Sequence, residues 1–247
     1  MAMAHKVQQA LASVGIVAHR RNRLRFGHDL ILDIQRLVGD VSVIVDVGAN
    51  EGQSAMPFAR GFGGARVFAF EPVPDTFELL RAHTESEPRI TCFDLALGAQ
   101  EGEATILLSD SSGHNSLLRS AEPGPGAVTV RVTTGDAWAA AHGVDRIDVL
   151  KIDTEGYELE VLAGFEGLVA AGRVGCVVGE CEFDRVTAEP HTSFFALYDY
   201  LTSRGMGFVT LYTDALASNR FAWGNALFAL AGADAQAPAN GAPRPQA

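Results

Sequence analysis

Val43 to Ser54 reads VIVDVGANEGQS. The β-branched run Val43–Val47 predicts a short buried strand. Gly48 and Gly52 then bracket a tight turn, and Gly52–Phe62 predicts the helix that follows. A strand running through a glycine turn into a helix is the opening unit of an α/β sheet, and it can bring backbone close to a ligand at the strand's carboxyl end. The bland alternative is that Gly48 and Gly52 make a tight turn and nothing more. Asp46 places a carboxylate beside this turn. The loop is not G-x-G-x-x-G, because Asn50 stands where a dinucleotide loop would carry glycine. An acidic residue opening the loop suits a cationic group, such as an amino group, better than a pyrophosphate.

Outward from this unit the chain alternates. Strands are predicted at Arg66–Phe70, Ile90–Leu97, Ile147–Ile152, Val174–Gly179, Phe208–Tyr212 and Ala226–Ala231. Helices are predicted at Pro74–Thr84, Thr134–His142, Tyr157–Ala171 and His191–Arg204. Ala104–Leu108 and Val128–Val132 read as added strands, a small inserted β-hairpin around the polar loop Ser109–Ser120. Such alternation predicts a mostly parallel sheet flanked by helices, with ligands beyond the carboxyl ends of the strands. Upstream, Val7, Leu11, Val14 and Val17 form an apolar helical stripe, and a second helix covers about Asp29–Val38. Residues 1–40 therefore read as an N-terminal helical cap, and 41–231 as the main domain. Residues 232–247, GADAQAPANGAPRPQA but for its first letters rich only in Ala, Pro and Gly, read as a disordered tail, with too little apolar surface to offset its ordering entropy.

The 247 residues are 47% hydrophobic and 20% charged, enough for a sizeable core. The formal charge of −11, from 19 basic and 30 acidic residues, argues against a nucleic-acid partner. No apolar run reaches the length of a membrane span, and the N-terminus does not read as a signal peptide. Cys92, Cys176 and Cys181 form no C-x-x-C pair, which suits a reducing, cytoplasmic setting. The basic group Arg20, Arg21, Arg23 and Arg25 is a solvated face, an anion site or a touch-point for anionic lipid; the overall charge argues against stable membrane anchoring.

Three further segments carry chemistry. The strand in VFAFEPVPD has Glu71 as its terminal acid, about 25 residues after Asp46, where an acid in nucleoside-binding folds accepts hydrogen bonds from both ribose hydroxyls. A bare strand-end charge is the bland reading of the same residue. In KIDTEGYE, Lys151 and Asp153 stand i, i+2 and point to one face. The chain has only two lysines, Lys6 and Lys151, so a lysine inside VLKID reads as paired, with Asp153 or Glu155. VVGECEF adds Glu180 and Glu182. With Asp153 and Glu155 they would give up to four carboxylates at one mouth, for a polyhydroxyl acceptor or for a hard cation such as Mg²⁺. The sugar reading is preferred and no metal is assigned. Glu158 and Glu160 read as a solvated helix face. His114, Asn115 and Ser116 lie in the polar loop; His114 is a solvated histidine or a base. Trp223 is core or a platform for a sugar face.

With VDVGANEG, FEPVP, ALG (Ala96–Gly98) and IDVLKIDTEGYELEVLAGF together, the chain resembles the FkbM family of S-adenosylmethionine-dependent methyltransferases, over about Phe26 to Leu230. The resemblance implies a Rossmann-like class I methyltransferase fold with a seven-stranded, mostly parallel sheet, and S-adenosyl-L-methionine as cofactor. It implies cofactor roles for Asp46, Gly48, Asn50, Gly52 and Glu71, and sets Asp94, Leu95 and Ala96 beside the adenine. Asp94 would accept from the adenine amino group or simply bond nearby backbone. It implies O-methylation of a small-molecule or glycan hydroxyl in a sugar, glycolipid or natural product. Asp153, Lys151, Glu155 and His114 are then the catalytic candidates, with Asp153 as general base. The competing reading is a non-catalytic nucleoside-binding module. A nicotinamide oxidoreductase is disfavoured by Asn50.

Overall fold

The structure is a computed structural model that describes residue 13 and residues 24–108, 116–120, 126–183, 191–217 and 220–230. The stripe Val7–Val17, Arg20, Arg21, Arg23, His114, Asn115 and the tail 232–247 lie outside the described residues.

The first described element is α1 (Leu30–Val38), whose N-cap Asp29 accepts from the Leu32 amide at 2.9 Å. Then follow β1 (Val43–Val47), α2 (Ala55–Gly61), β2 (Arg66–Phe70), α3 (Pro74–Thr84) and β3 (Ile90–Phe93). A second group comprises β4 (Ala96–Leu97), β5 (Gly102–Leu107), β6 (Ser116–Ser120) and β7 (Ala127–Thr133). The chain returns through α4 (Gly135–Ala141), β8 (Ile147–Ile152), α5 (Glu158–Gly164), α6 (Glu166–Ala170) and β9 (Val174–Glu182). It finishes with α7 (Phe194–Thr202), β10 (Met206–Ala217) and β11 (Arg220–Leu230).

Seven strands make one sheet in the order β10-β11-β9-β8-β1-β2-β3. All neighbours are parallel except β11, which runs antiparallel to both β9 and β10. Every residue of β1 and β8 is buried, as a strand covered on both faces requires. Alternation then sorts the side chains. Val43, Val45 and Val47 join a core with Trp138, Leu162 and Leu197, under α4 to α7. Ile44 joins Ile34, Phe58 and Leu80 on the other face, under α1 to α3. The result is a Rossmann-like three-layer α/β fold, as the motifs implied.

β9, β10 and β11 run longer than the strands expected there, and three further details differ from the sequence reading. The strand expected over Ile90–Leu97 breaks at Asp94: β3 stays in the large sheet, while β4 pairs with β7 in a second sheet, β4-β7-β5-β6. The inserted hairpin is thus part of a four-stranded sheet, and β6 lies within the stretch read as polar loop. An edge strand held by main-chain bonds needs no apolar alternation to form. The single helix expected over Tyr157–Ala171 is two: the turn tightens after Gly164, with Phe165 N–H donating to Leu162 O at 3.0 Å, at a point where Gly98 packs too close for any side chain on residue 164.

Candidate active site

Strand order reverses between β1 and β8, and a cavity of about 540 Å³ opens over their carboxyl ends. It reaches from Glu71 and Leu95 on the β2 side, over the Gly48 turn, to Asp153, Glu155 and Glu180 on the β8–β9 side.

Gly48 has φ +76°, and a Cβ there would run into the carbonyl oxygen of Asp153. Its amide and that of Ala49 both donate to Phe70 O, at 3.0 and 2.9 Å. The glycine therefore serves first to let the β1 and β8 ends pass each other. Gly52 also has positive φ, and does not line the cavity. Asn50 does line it, in a left-handed conformation, and its Oδ1 is buried with no hydrogen-bond partner among the described residues.

Asp46 corrects the expectation of a carboxylate offered to the ligand. It is fully buried on β1, outside the cavity lining, and accepts from Ser54 Oγ at 2.6 Å. Its position on β1 is opposite Lys151 on β8. Burial raises its pKa, against the pull of the Lys151 charge. A residue one position before the strand end points beneath the mouth, so Asp46 acts on the site through Ser54 and Lys151.

Glu71 stands where expected. One carboxylate oxygen accepts from the Asn50 amide at 3.1 Å and the other from the Val73 amide at 3.0 Å. Burial pushes its pKa up to about 7, although both amides oppose this. Each oxygen keeps a lone pair for a further donor. Asp94 is a second correction: its side chain is 65% exposed and pairs with Arg131 at 3.0 Å, because the chain turns outward there to start the second sheet. Leu95, Ala96 and Leu97 line the cavity instead.

At the other end Lys151 donates to Asp153 at 2.7 Å. Burial works to lower the lysine pKa, and the charges of Asp153 and Asp46 more than reverse it. Burial likewise works to raise Asp153, and the Lys151 ammonium, with a hydrogen bond from Glu180, leaves it below the usual carboxyl range. Glu180 is pushed upward by burial, then by the negative charges of Asp153, Glu155 and Glu158. Glu155 adopts φ +53° and approaches His191 at 3.7 Å. Glu155, Glu180 and His191 bring one donor atom each within 4.8 Å of one another. That spacing accommodates hydroxyls or a hard cation, but a neighbouring ammonium works against a second cation. Glu182, the fourth expected carboxylate, is buried outside the cavity. Trp223 is 37% exposed and also outside it.

Sequence reasoning missed three residues. Glu158 is 1% exposed and not a solvated face: its Oε1 accepts from the Thr154 and Gly156 amides at 2.8 and 3.2 Å and from Thr154 Oγ1 at 3.0 Å, which shapes the turn after β8. A glutamate in the first turn of a helix, reaching back to preceding amides, is a signal that was available. Asn225, opposite Glu180 on β11, lines the cavity. His191 had no local signal.

The family profile of the FkbM methyltransferase domain matches residues 46–209. The chain belongs to this family. Among curated proteins, the FkbM domain is 32% identical over 142 residues to hexuronic acid methyltransferase AglP of Haloferax volcanii, covering 57% of each chain. It is 26% identical over 137 residues to 2-O-methyltransferase NoeI of Sinorhizobium fredii, covering 49% of this chain and 56% of that one. The matched stretch thus spans little more than half the length of these relatives. Among solved structures it is similar to M. capricolum TrmK in complex with S-adenosyl-homocysteine, with TM-score 0.48 and 9% identity, over 83% of this chain and 68% of that one.

The methyl donor of an FkbM domain is S-adenosylmethionine, and the cavity suits it. A carboxylate with lone pairs to spare, an apolar wall at Leu95–Leu97 and an orphaned buried acceptor on Asn50 match a ribose, a flat base and an amino group. No described helix is long and apolar enough to cross a membrane.

Proposed function

We propose that this FkbM domain O-methylates a hydroxyl of a sugar or another polyhydroxylated acceptor. The observation that carries this reading is the Lys151–Asp153 pair at the β8 end of a cavity whose other end is suited to a nucleoside. The names of two relatives, a hexuronic acid methyltransferase and a 2-O-methyltransferase, support the sugar class.

When bound, S-adenosylmethionine supplies an electrophilic methyl group on a positively charged sulfur. The chain's own part is positioning and proton handling. Glu71 accepts from the ribose hydroxyls and Asn50 Oδ1 takes a donor of the ligand. Leu95, Ala96 and Leu97 pack beside the base. Asp153, kept ionised by Lys151, accepts the hydrogen bond of the attacking hydroxyl and draws off its proton. Glu155 and Asn225 orient neighbouring hydroxyls. Holding oxygen, methyl carbon and sulfur in line accounts for several kcal/mol of barrier lowering, on the order of 7–11 in well-oriented systems.

The non-catalytic module shares every cofactor contact and needs no buried ion pair at the mouth, so the Lys151–Asp153 pair favours the enzyme. Three measurements test the proposal. Calorimetry with S-adenosylhomocysteine and with NAD should give binding for the first only. Incubation of the chain with glycan or metabolite extracts and methyl-deuterated donor should add one labelled methyl to a hydroxylated product. Binding without any labelled product would favour the module.

A further inference from the structure

Glu180 is the one cavity carboxylate that the reaction above leaves without a task. It lines the cavity from β9 together with Asp153 and Glu155, and its Oε2 is buried with no hydrogen-bond partner among the described residues, so carboxyl groups crowded at one mouth are driven to keep a proton among them. Lys151, at 2.7 Å from Asp153, fixes which of Asp153 and Glu180 is charged. The remaining groups facing Glu180 are Glu155 from the turn after β8 and Glu158 from α5, with His191 beside Glu155 and the neutral Asn225 across on β11. Asp46, below on β1, acts on Lys151. Among the described residues, one ammonium thus stands against five carboxyl groups. Burial, and then the negative charges of Asp153, Glu155 and Glu158, push Glu180 upward, while the ammonium at 2.7 Å favours the ionised form of Asp153.

The cavity also receives a charge from its ligand. One cavity runs from Glu71 to Asp153 and Glu180, so a cofactor whose ribose sat at Glu71 would have the acidic end within the same cavity as its sulfur. We infer that Glu180 is the proton store of the methyl transfer, empty while the sulfur in the cavity is positively charged and filled once it is neutral. This inference rests on the methyl-transfer reading. The transfer forms one O–C bond and breaks one S–C bond, whose electron pair stays on sulfur. The positive charge lost there reappears as the hydroxyl proton, which passes by way of Asp153 to Glu180 and from there to water. Glu180 is free to take that proton because the cation that kept it ionised has just been discharged. The coupling ties proton uptake to completion of the transfer.

Calorimetric titration of the whole chain tests this without turnover. S-adenosylmethionine and S-adenosylhomocysteine are each titrated in buffers of different ionisation enthalpy, at about pH 6.5, where the α-amino group of either ligand stays protonated. The charged ligand should release more protons than the neutral one, by up to about one per site. In Glu180→Gln, which should bind both ligands, the difference should disappear. Equal proton counts for the two ligands in the unaltered chain overturn the inference, whether or not the variant folds. So does a folded variant that keeps the difference. Absence of saturable binding by either ligand overturns the cofactor reading itself, and is thereby distinguished from failure of the proton store alone.

Discussion

At the β2 end of the cavity a single carboxylate, Glu71, has each oxygen against a main-chain N–H, and its surroundings at Leu95, Ala96 and Leu97 are apolar. At the β8–β9 end, Lys151, Asp153 and Glu180 hold one another by side chain alone. A carboxylate fixed by backbone cannot adjust unless the chain moves. A carboxylate fixed by other ionisable side chains adjusts by moving a proton. The difference separates two tasks. On the proposed reading the first end recognises a shape with hydroxyls, and the second answers the charge of the sulfur.

The sharpest way to break this comparison is Asp153→Asn. The amide keeps the size but takes no proton, so turnover should fall by about 10²–10⁴-fold while cofactor affinity changes by less than roughly threefold. Removing the partner of buried Lys151 costs stability, on the order of 3–5 kcal/mol, so melting temperature is read on the same sample. A folded, cofactor-binding variant with unaltered turnover would make Asp153 a structural residue. Gly48→Ala should strike both ends at once. Its methyl group meets the Asp153 carbonyl at a positive φ, and the expected loss is about 2–4 kcal/mol of stability, seen as a lower denaturant midpoint. A variant as stable as the parent would show that the strand ends can part freely.

Glu71→Ala tests the recognition end alone. Loss of charge-assisted bonds to ribose, about 1.5–3 kcal/mol each, should weaken cofactor binding at least tenfold. Turnover at saturating cofactor should change far less. If affinity is unchanged, the ribose lies elsewhere.

A smaller effect sharpens the same point. The Glu71 pKa is raised by burial from the ordinary 4.5 to about 7, so its ionised form disfavours the folded, ligand-free protein. Its contribution to stability is present in full below about pH 4.5 and is lost as pH rises through about 7. Ribose needs the ionised form as acceptor, so cofactor affinity should rise over the same interval, by less than tenfold per pH unit. Glu71→Gln should flatten both slopes. Equal slopes in parent and variant would locate the titrating group elsewhere. The smallest effect expected is that of chelation: EDTA should leave turnover within about twofold, because Lys151 already supplies the cation at the acidic end. Full loss with rescue by Mg²⁺ would instead give Glu155, Glu180 and His191 to a metal.

What was legible in the sequence follows the same division. β1, β2 and β8 were readable to their terminal residues, because a strand buried on both faces writes itself as a largely apolar run, and α3 because Pro74 marks its first turn. Glu71 and Lys151–Asp153 were readable because they lie at or just beyond the ends of those strands. Asp46 and Asp94 were misjudged by the same logic: each is a single position from a strand end, and one position reverses the face or turns the residue outward. Asn225 and His191 were missed because their places depend on elements meeting from distant parts of the chain, whereas the bonds of Glu158 to Thr154 and Gly156 are local and were open to reading. β6 was missed because pairing at a sheet edge leaves little trace in side-chain pattern.

Gly48 and the Asp153 carbonyl share a clearance too small for a single methyl group. The Gly48 loop and the turn that carries Asp153 are in effect one machined part, set by a common fastener. Transplanting the loop from another methyltransferase would have to carry the end of β8 with it. Redesign for a new acceptor is better begun at Glu155 and at Asn225 on β11, which border the same cavity and are not bolted to the glycine.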